Sequence, residues 1–217
     1  NAKQYSMDYR LIVDDETQYT RLTVMFSSDH LHFIIGIENV TEEILKEEEH
    51  LLALKTANEM ARSDELTGAK NKNAYKELEA SIQKNMETGT DFHPFAFVVC
   101  DLNNLKRIND TLGHKAGDEY ICSACQMIFD TFSHSPVFRI GGDEFIAVLT
   151  ERDYADKDHL LGELRRQILD NRESGSGPVI ATGMAVYDAR TDLKVTDVFD
   201  RADNLMYKNK KELKGEL

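Results

Sequence analysis

The sequence predicts an α+β protein in which a β-α-β-β-α-β domain follows one long helix and a three-stranded fragment. Three observations carry this. Apolar residues alternate with period two in three separate runs before residue 40. A stretch of helix formers without Gly or Pro then runs to about Arg62. From residue 64, apolar strand runs alternate with helical patterns, and Gly141-Gly142 separates two of the strands.

Leu11/Val13, Leu22/Val24/Phe26 and Leu31/Phe33/Ile35/Ile37 place strands at 9–13, 19–26 and 31–39, with Asp14-Asp15 and Ser27-Ser28-Asp29 as turns. Three strands in 40 residues are too few for an independent domain. Thr41, Glu42 and Glu43 open a helix. Within it Ile44, Leu51 and Asn58 recur every seven residues, with Leu54 and Ala61 three later. That spacing fits a short two-stranded coiled coil with one polar seam position, or a solvated linker helix. A helix over 71–87, a strand over 95–100 and a helix over 115–132 follow. Strands at 137–140 and 144–149, a helix near 153–172, a strand near 178–187 and a helix near 196–213 complete the chain. The order from residue 94 is ferredoxin-like: a four-stranded antiparallel sheet backed by helices.

With 217 residues, 41% hydrophobic and 30% charged, the chain has enough apolar side chain to bury a core. A formal charge of −13 argues against a nucleic-acid surface, which needs clustered cations. A small phosphorylated ligand remains compatible, because local cations or a metal override the global charge. No run approaches the roughly 18–20 apolar residues of a membrane helix, and the first residues carry no secretory pattern. The expectation is therefore a cytoplasmic chain without membrane contact. Three cysteines give no disulfide framework. Cys122 and Cys125 have C-x-x-C spacing but fall on a helix beside Ile121, Ile128 and Phe129, where core packing is preferred over zinc or redox work.

The densest chemistry lies in Arg139-Ile140-Gly141-Gly142-Asp143-Glu144-Phe145. Gly-Gly between two apolar strands signals a type I′ hairpin with positive φ at both glycines. The two carboxylates after it repel one another unless a cation relieves them. Asp101 ends the strand Phe97-Val98-Val99-Cys100-Asp101. In this topology the first and third strands are antiparallel neighbours, so Asp101, Asp143 and Glu144 meet at one rim. Three carboxylates suit a hard cation such as Mg²⁺; turn acids facing water are the plainer alternative. Asn109 and Asp118 fall at the same rim, where an amide and a carboxylate can read a base edge. Alternatively, Asn109 is a turn residue and Asp118 a first-turn acid favoured by the helix dipole. Lys106 and Lys210 are placed to reach a phosphate, or stand solvated. No G-x-x-x-x-G-K-[ST] loop is present.

These segments together resemble the GGDEF family of diguanylate cyclases. Gly141-Gly142-Asp143-Glu144-Phe145 spells its name motif, and Asp101 through Asp110 is similar to D-x-D-x-F-K-x-x-N-D. Gly113-His114-Lys115-Ala116-Gly117-Asp118 matches G-H-x-x-G-D, and Asp64-Glu65-Leu66-Thr67-Gly68 matches the opening D-x-L-T-G. Ala202-Asp203, Tyr207 and Lys210 resemble the closing A-D-x-x-x-Y-x-x-K. Residues 36–43 resemble the exit of PAS sensor domains, Asn39-Val40-Thr41-Glu42 being close to their aspartate-isoleucine-threonine-glutamate motif.

The resemblance implies a nucleotide-cyclase palm over 64–217, a coiled-coil linker over 42–63 and the last part of a PAS-like sensor over 1–41, so that the chain begins partway through that sensor. It implies condensation of two GTP into cyclic di-GMP in a homodimer aligned by the linker helix and governed by an upstream sensor. Mg²⁺ or Mn²⁺ would be held by Asp101, Asp143, Glu144 and the carbonyl of Leu102. Asn109 and Asp118 would read guanine. The amides of Asn103, Asn104 and Leu105, with Lys106, Lys210 and Lys214, would hold the phosphates, and Asp143 or Glu144 would activate the ribose 3′-hydroxyl. A silent GTP-binding module and a hybrid cyclic-dinucleotide synthase are the alternatives, with a dimerisation scaffold behind them. Departures from the pattern are Asn103 and Leu105 for aspartate and phenylalanine, Ala69 and Lys72 for leucine and arginine, and Leu213 and Lys214 for glycine and arginine. Phe132 and Ser135 stand where the product-inhibition motif R-x-x-D has its Arg and Asp, so such inhibition is not expected.

Overall fold

A ten-residue and an eleven-residue β-strand at the amino terminus are joined through two acidic residues, and a helix leaves from the third strand. The computed structural model describes residues 4–26, 32–89 and 93–215. It divides into two units, 1–59 and 60–217. In the first, β1 (Gln4–Val13), β2 (Glu16–Phe26) and β3 (Phe33–Asn39) form an antiparallel sheet in that order. β1 and β2 reach further than their apolar alternation, because exposed polar positions still satisfy the ladder, whereas β3 begins at Phe33 within the expected 31–39. Asp14 and Asp15 both have positive φ, 51° and 63°, which is the requirement of a primed two-residue hairpin turn. The predicted turn at Ser27-Ser28-Asp29 and the strand position Leu31 lie outside the described residues.

The register stacks Tyr5, Val24 and Ile35 on one face, with Met7, Leu22 and Ile37 beside them. The period-two pattern is thus real, although Tyr5, Met7, Ile35 and Ile37 are exposed. Thr41 opens α1 (Thr41–Ala61), where its N–H donates to Asn39 Oδ1 at 3.0 Å. No residue of α1 is buried, and Leu51 and Leu54 of the heptad pattern stand open.

The second unit adds β4 (Lys70–Asn71), α2 (Lys72–Thr88), β5 (Ala96–Leu102), α3 (Leu105–Leu112) and α4 (His114–Thr131). Then come β6 (Val137–Arg139), β7 (Glu144–Leu149), α5 (Glu151–Ala155), α6 (Lys157–Ser174), β8 (Ile180–Val186) and α7 (Val195–Lys214). The expected ferredoxin-like order is present as β6-β7-β5-β8, all antiparallel. Two-residue β4 pairs in parallel with β6 and makes the sheet a mixed one of five strands, a pairing too short to leave a periodic signature. Two helices depart from expectation. α3 forms where no element was assigned, which removes the alternative of Asn109 as a turn residue, and the helix expected near 153–172 is broken at Asp156 into α5 and α6.

Central β5 is buried on both faces along its whole length, which explains its unbroken apolar run. One face packs Ile121, Cys125 and Ile128 of α4 with Leu161, Leu164 and Ile168 of α6. The other packs Phe97, Phe138 and Ile146 with Tyr75 of α2 and Val198, Ala202 and Met206 of α7. Cys125 is a core residue as expected, whereas Cys122 is half-buried and its thiol donates to Leu66 O at 3.4 Å. α7 lies close on β8 because Gly183 has no side chain: a Cβ there would overlap Ala202 O and Met206 N. That close approach fixes where the last turns of α7 lie.

Candidate active site

The carboxylate rim is built by strand register. Asp101 is paired directly with Glu144 across β5 and β7, and Leu102 N–H donates to Asp143 O at 3.0 Å. Asp101 is 6% exposed. Burial, and after it the charge of Asp143, hold its carboxyl above the ordinary value against the pull of Lys210. Glu144 is likewise raised, first by burial and then by Asp143, Asp101 and Asp203. The three predicted carboxylates are therefore neighbours, and Asp203 of α7 is a fourth that sequence reading did not assign. Its signal was available: Asp203 and Lys210 stand seven residues apart, two turns along one helix face.

Lys210 Nζ donates to Asp101 Oδ1 at 2.5 Å in a largely buried ion pair. Among the described residues no three His, Cys, Asp or Glu side chains are gathered closely enough to hold an ion. The chemistry still fits a hard cation, because raised, mutually repelling carboxylates are what a divalent ion relieves.

The loop carrying this rim is not the type I′ turn expected from its glycines. β6 ends at Arg139 and β7 starts at Glu144, leaving a four-residue connection, and neither Gly141 nor Gly142 has positive φ. Gly141 leaves room for the Glu144 carboxylate: a Cβ there would stand 2.6 Å from Glu144 Oε2, which would have to swing aside. Gly142 faces open space. Arg139 braces the loop, donating to Gly142 O at 2.8 Å and to Asp64 Oδ1 at 2.9 Å. Burial pushes Asp64 up, but bonds from Thr67 and Arg139 outweigh it and hold the carboxyl below its ordinary value. The opening D-x-L-T-G segment thus clamps the acidic loop, a long-range role no local pattern announced.

On the other side of β5 the chain enters α3 through Asn104, a non-glycine residue at φ 66°. Asparagine tolerates this left-handed conformation better than most. Asn103 is 3% exposed. Its N–H donates to Val179 O at 2.9 Å, and its carbonyl accepts from Tyr120 at 3.0 Å. The Asn103 amide is therefore committed, a correction to the expected phosphate cradle, which reduces to Asn104 and the first turn of α3 from Leu105. Asn103 Oδ1 is buried and finds no hydrogen-bond partner among the described residues.

Asn109 lies in α3, not in a turn, and its amide rests directly on Gly117 of α4, where a Cβ would overlap Oδ1. Asp118 follows Gly117 and lies beyond the first turn of α4, which begins at His114, so the first-turn explanation of this acid does not apply. Two adjoining depressions flank α3. The smaller, about 440 Å³, is lined by Leu102, Lys106, Asp143, Lys210 and Lys214 among others. The larger, about 790 Å³, shares Asn103, Asn104, Arg107 and Lys214 with it and extends to Tyr120 and Arg172. Asn109 and Asp118 line neither. Cations thus collect beside the carboxylate rim of an acidic protein.

Residues 61–216 match the family described as diguanylate cyclase, GGDEF domain. The chain is 29% identical over 157 residues to the diguanylate cyclase DosC of Escherichia coli K12, covering 71% of this chain and 33% of that protein. It is 29% identical over 121 residues to a diguanylate cyclase of Vibrio cholerae, covering 54% of this chain and 37% of that one. The chain thus spans about a third of the length of these curated relatives. The crystal structure of the coiled coil and GGDEF domain of DgcB from Caulobacter crescentus, in complex with c-di-GMP, is similar with a TM-score of 0.65. It is 22% identical, with 80% of this chain and 93% of that chain covered, and supports the fold.

Proposed function

We propose, since this chain belongs to the diguanylate cyclase GGDEF-domain family, that it condenses two GTP molecules into one cyclic di-GMP and releases two pyrophosphates. The observation that carries this reading is the buried Asp101 in register with Glu144 and beside Asp143, at the edge of a depression of about 440 Å³ lined by Lys106, Lys210 and Lys214. Each ribose 3′-hydroxyl attacks the α-phosphate of the facing GTP, one P–O bond forming as the bond to pyrophosphate breaks. Asp143 or Glu144 receives the hydroxyl proton as the general base. The free amides at Asn104 and Leu105, with Lys106, Lys210 and Lys214, orient and neutralise the outer phosphates. Asn109 and Asp118 hold guanine, the carboxylate accepting its paired N–H donors.

Asp101, Asp143, Glu144 and the Leu102 carbonyl would hold Mg²⁺ or Mn²⁺, which supplies charge neutralisation at the phosphates when bound. One domain presents one such rim, so two chains face each other as a homodimer, with the open apolar seam of α1 as the aligning helix. We read residues 1–41 as the end of a PAS-like sensor, 42–63 as the linker and 64–217 as the catalytic domain, in a cytoplasmic protein. Among the described residues no helix is long and apolar enough to cross a membrane.

Incubation with GTP and Mg²⁺, with products separated by chromatography beside an Asp143→Ala control, tests the reading. Cyclic di-GMP is expected from the parent and none from the variant. If the parent is silent even when fused to an artificial dimeriser, yet still binds GTP, the catalytic reading fails in favour of a silent receptor.

A further inference from the structure

We propose that Lys210 is a tethered stand-in for the metal: its ammonium occupies Asp101 until a divalent cation takes that carboxylate, and the displaced lysine then meets the nucleotide's outer phosphates. This rests on the reading of Asp101 as a metal ligand. Lys210 Nζ stands 2.5 Å from Asp101 Oδ1, and the carboxylate side chain is only 9% exposed. A buried carboxylate beside Asp143 and Glu144 needs a partner whenever no ion is present. Lys210 supplies it from the last turns of α7, a helix held against β8 through Gly183.

Lys210 also lines the 440 Å³ depression with Lys106, Lys214 and Asp143. A compact ammonium on a four-carbon stem can swing from Asp101 into that depression while its backbone stays fixed. One ammonium cannot do both at once. Metal entry at Asp101 therefore frees a phosphate ligand, and phosphate capture of Lys210 frees a metal ligand, so the two binding events favour each other reciprocally.

The test is Mn²⁺ binding without nucleotide, read by electron paramagnetic resonance, for the parent, Lys210→Met, Asp101→Asn and the double variant. Removing the competing ammonium is expected to tighten Mn²⁺ binding about tenfold, the scale of one charge-assisted hydrogen bond. Asp101→Asn in the Lys210→Met background should abolish that gain. Lys210→Arg, which keeps the charge, should bind Mn²⁺ no tighter than the parent. In EDTA, Lys210→Met should melt below the parent, and the gap should close in saturating Mn²⁺. Unchanged or weaker Mn²⁺ binding by Lys210→Met, with Asp101→Asn still weakening it, overturns the exchange alone. Indifference of Mn²⁺ to Asp101→Asn would overturn the metal-site reading beneath it.

Discussion

Gly117→Ala separates recognition from stability at one position. The glycine sits within α4, where alanine is the better helix former by about 0.5–1 kcal/mol. A methyl at this position would overlap Asn109 Oδ1 and stand 2.8 Å from its Cγ. The obstacle is the end of a side chain, not backbone, so Asn109 can rotate away. Helix preference and that displacement largely cancel, and the melting temperature should move by no more than a few degrees. What is lost is the set position of the Asn109 amide against Gly117, on which the proposed guanine contact depends. A neutral hydrogen bond contributes about 0.5–1.5 kcal/mol, which corresponds to GTP affinity weakened roughly two- to twelvefold. Titration calorimetry with GTP, beside thermal melts, reads both quantities. GTP affinity unchanged in a normally folded Gly117→Ala variant would refute the placement of guanine at Asn109, as would a collapse of stability with the affinity preserved.

Other substitutions test the scaffold and the loop. Gly183→Ala drives a methyl into the backbone of α7, which cannot yield as a side chain does. Overpacking costs about 1–3 kcal/mol, so a fall of roughly 2–12 °C in Tm is expected, while Gly162→Ala, facing open space, should not destabilise. Gly141→Ala should push the Glu144 carboxylate aside and lower kcat about tenfold or more with Tm held, whereas Gly142→Ala should change kcat less than about twofold. Asp64, held below its ordinary 3.8 by Thr67 and Arg139, stabilises the fold above that value and loses this contribution as pH falls through its lower folded value. The Tm gap between the parent and Asp64→Asn should be constant from about pH 7 to 5 and shrink below about pH 4; a gap that widened in acid would contradict the assignment.

The sequence by itself determined the ferredoxin-like strand order, the antiparallel neighbourhood of β5 and β7, and hence the meeting of Asp101, Asp143 and Glu144. These follow from periodicity and connection rules, which are local or topological and survive without coordinates. It also placed the return of α7 toward the rim, because β8 must run against β5. Tertiary structure decided the rest. Glycines tell a reader that a side chain is unwelcome, but not whether φ or space forbids it, so Gly141 looked like a primed turn and proved to be room for Glu144. The primed turn lay instead at Asp14-Asp15, where the sequence promised only a turn. α3 escaped notice although Leu105, Ile108 and Leu112 carry helical spacing, because its two turns lie in what read as the connection after β5, and β4 because two residues hold no period. The clamp from Asp64 to Arg139, the committed amide of Asn103 and the grip of Lys210 on Asp101 each join residues far apart in sequence. Such pairs are chosen by distance and burial, which only the folded chain defines.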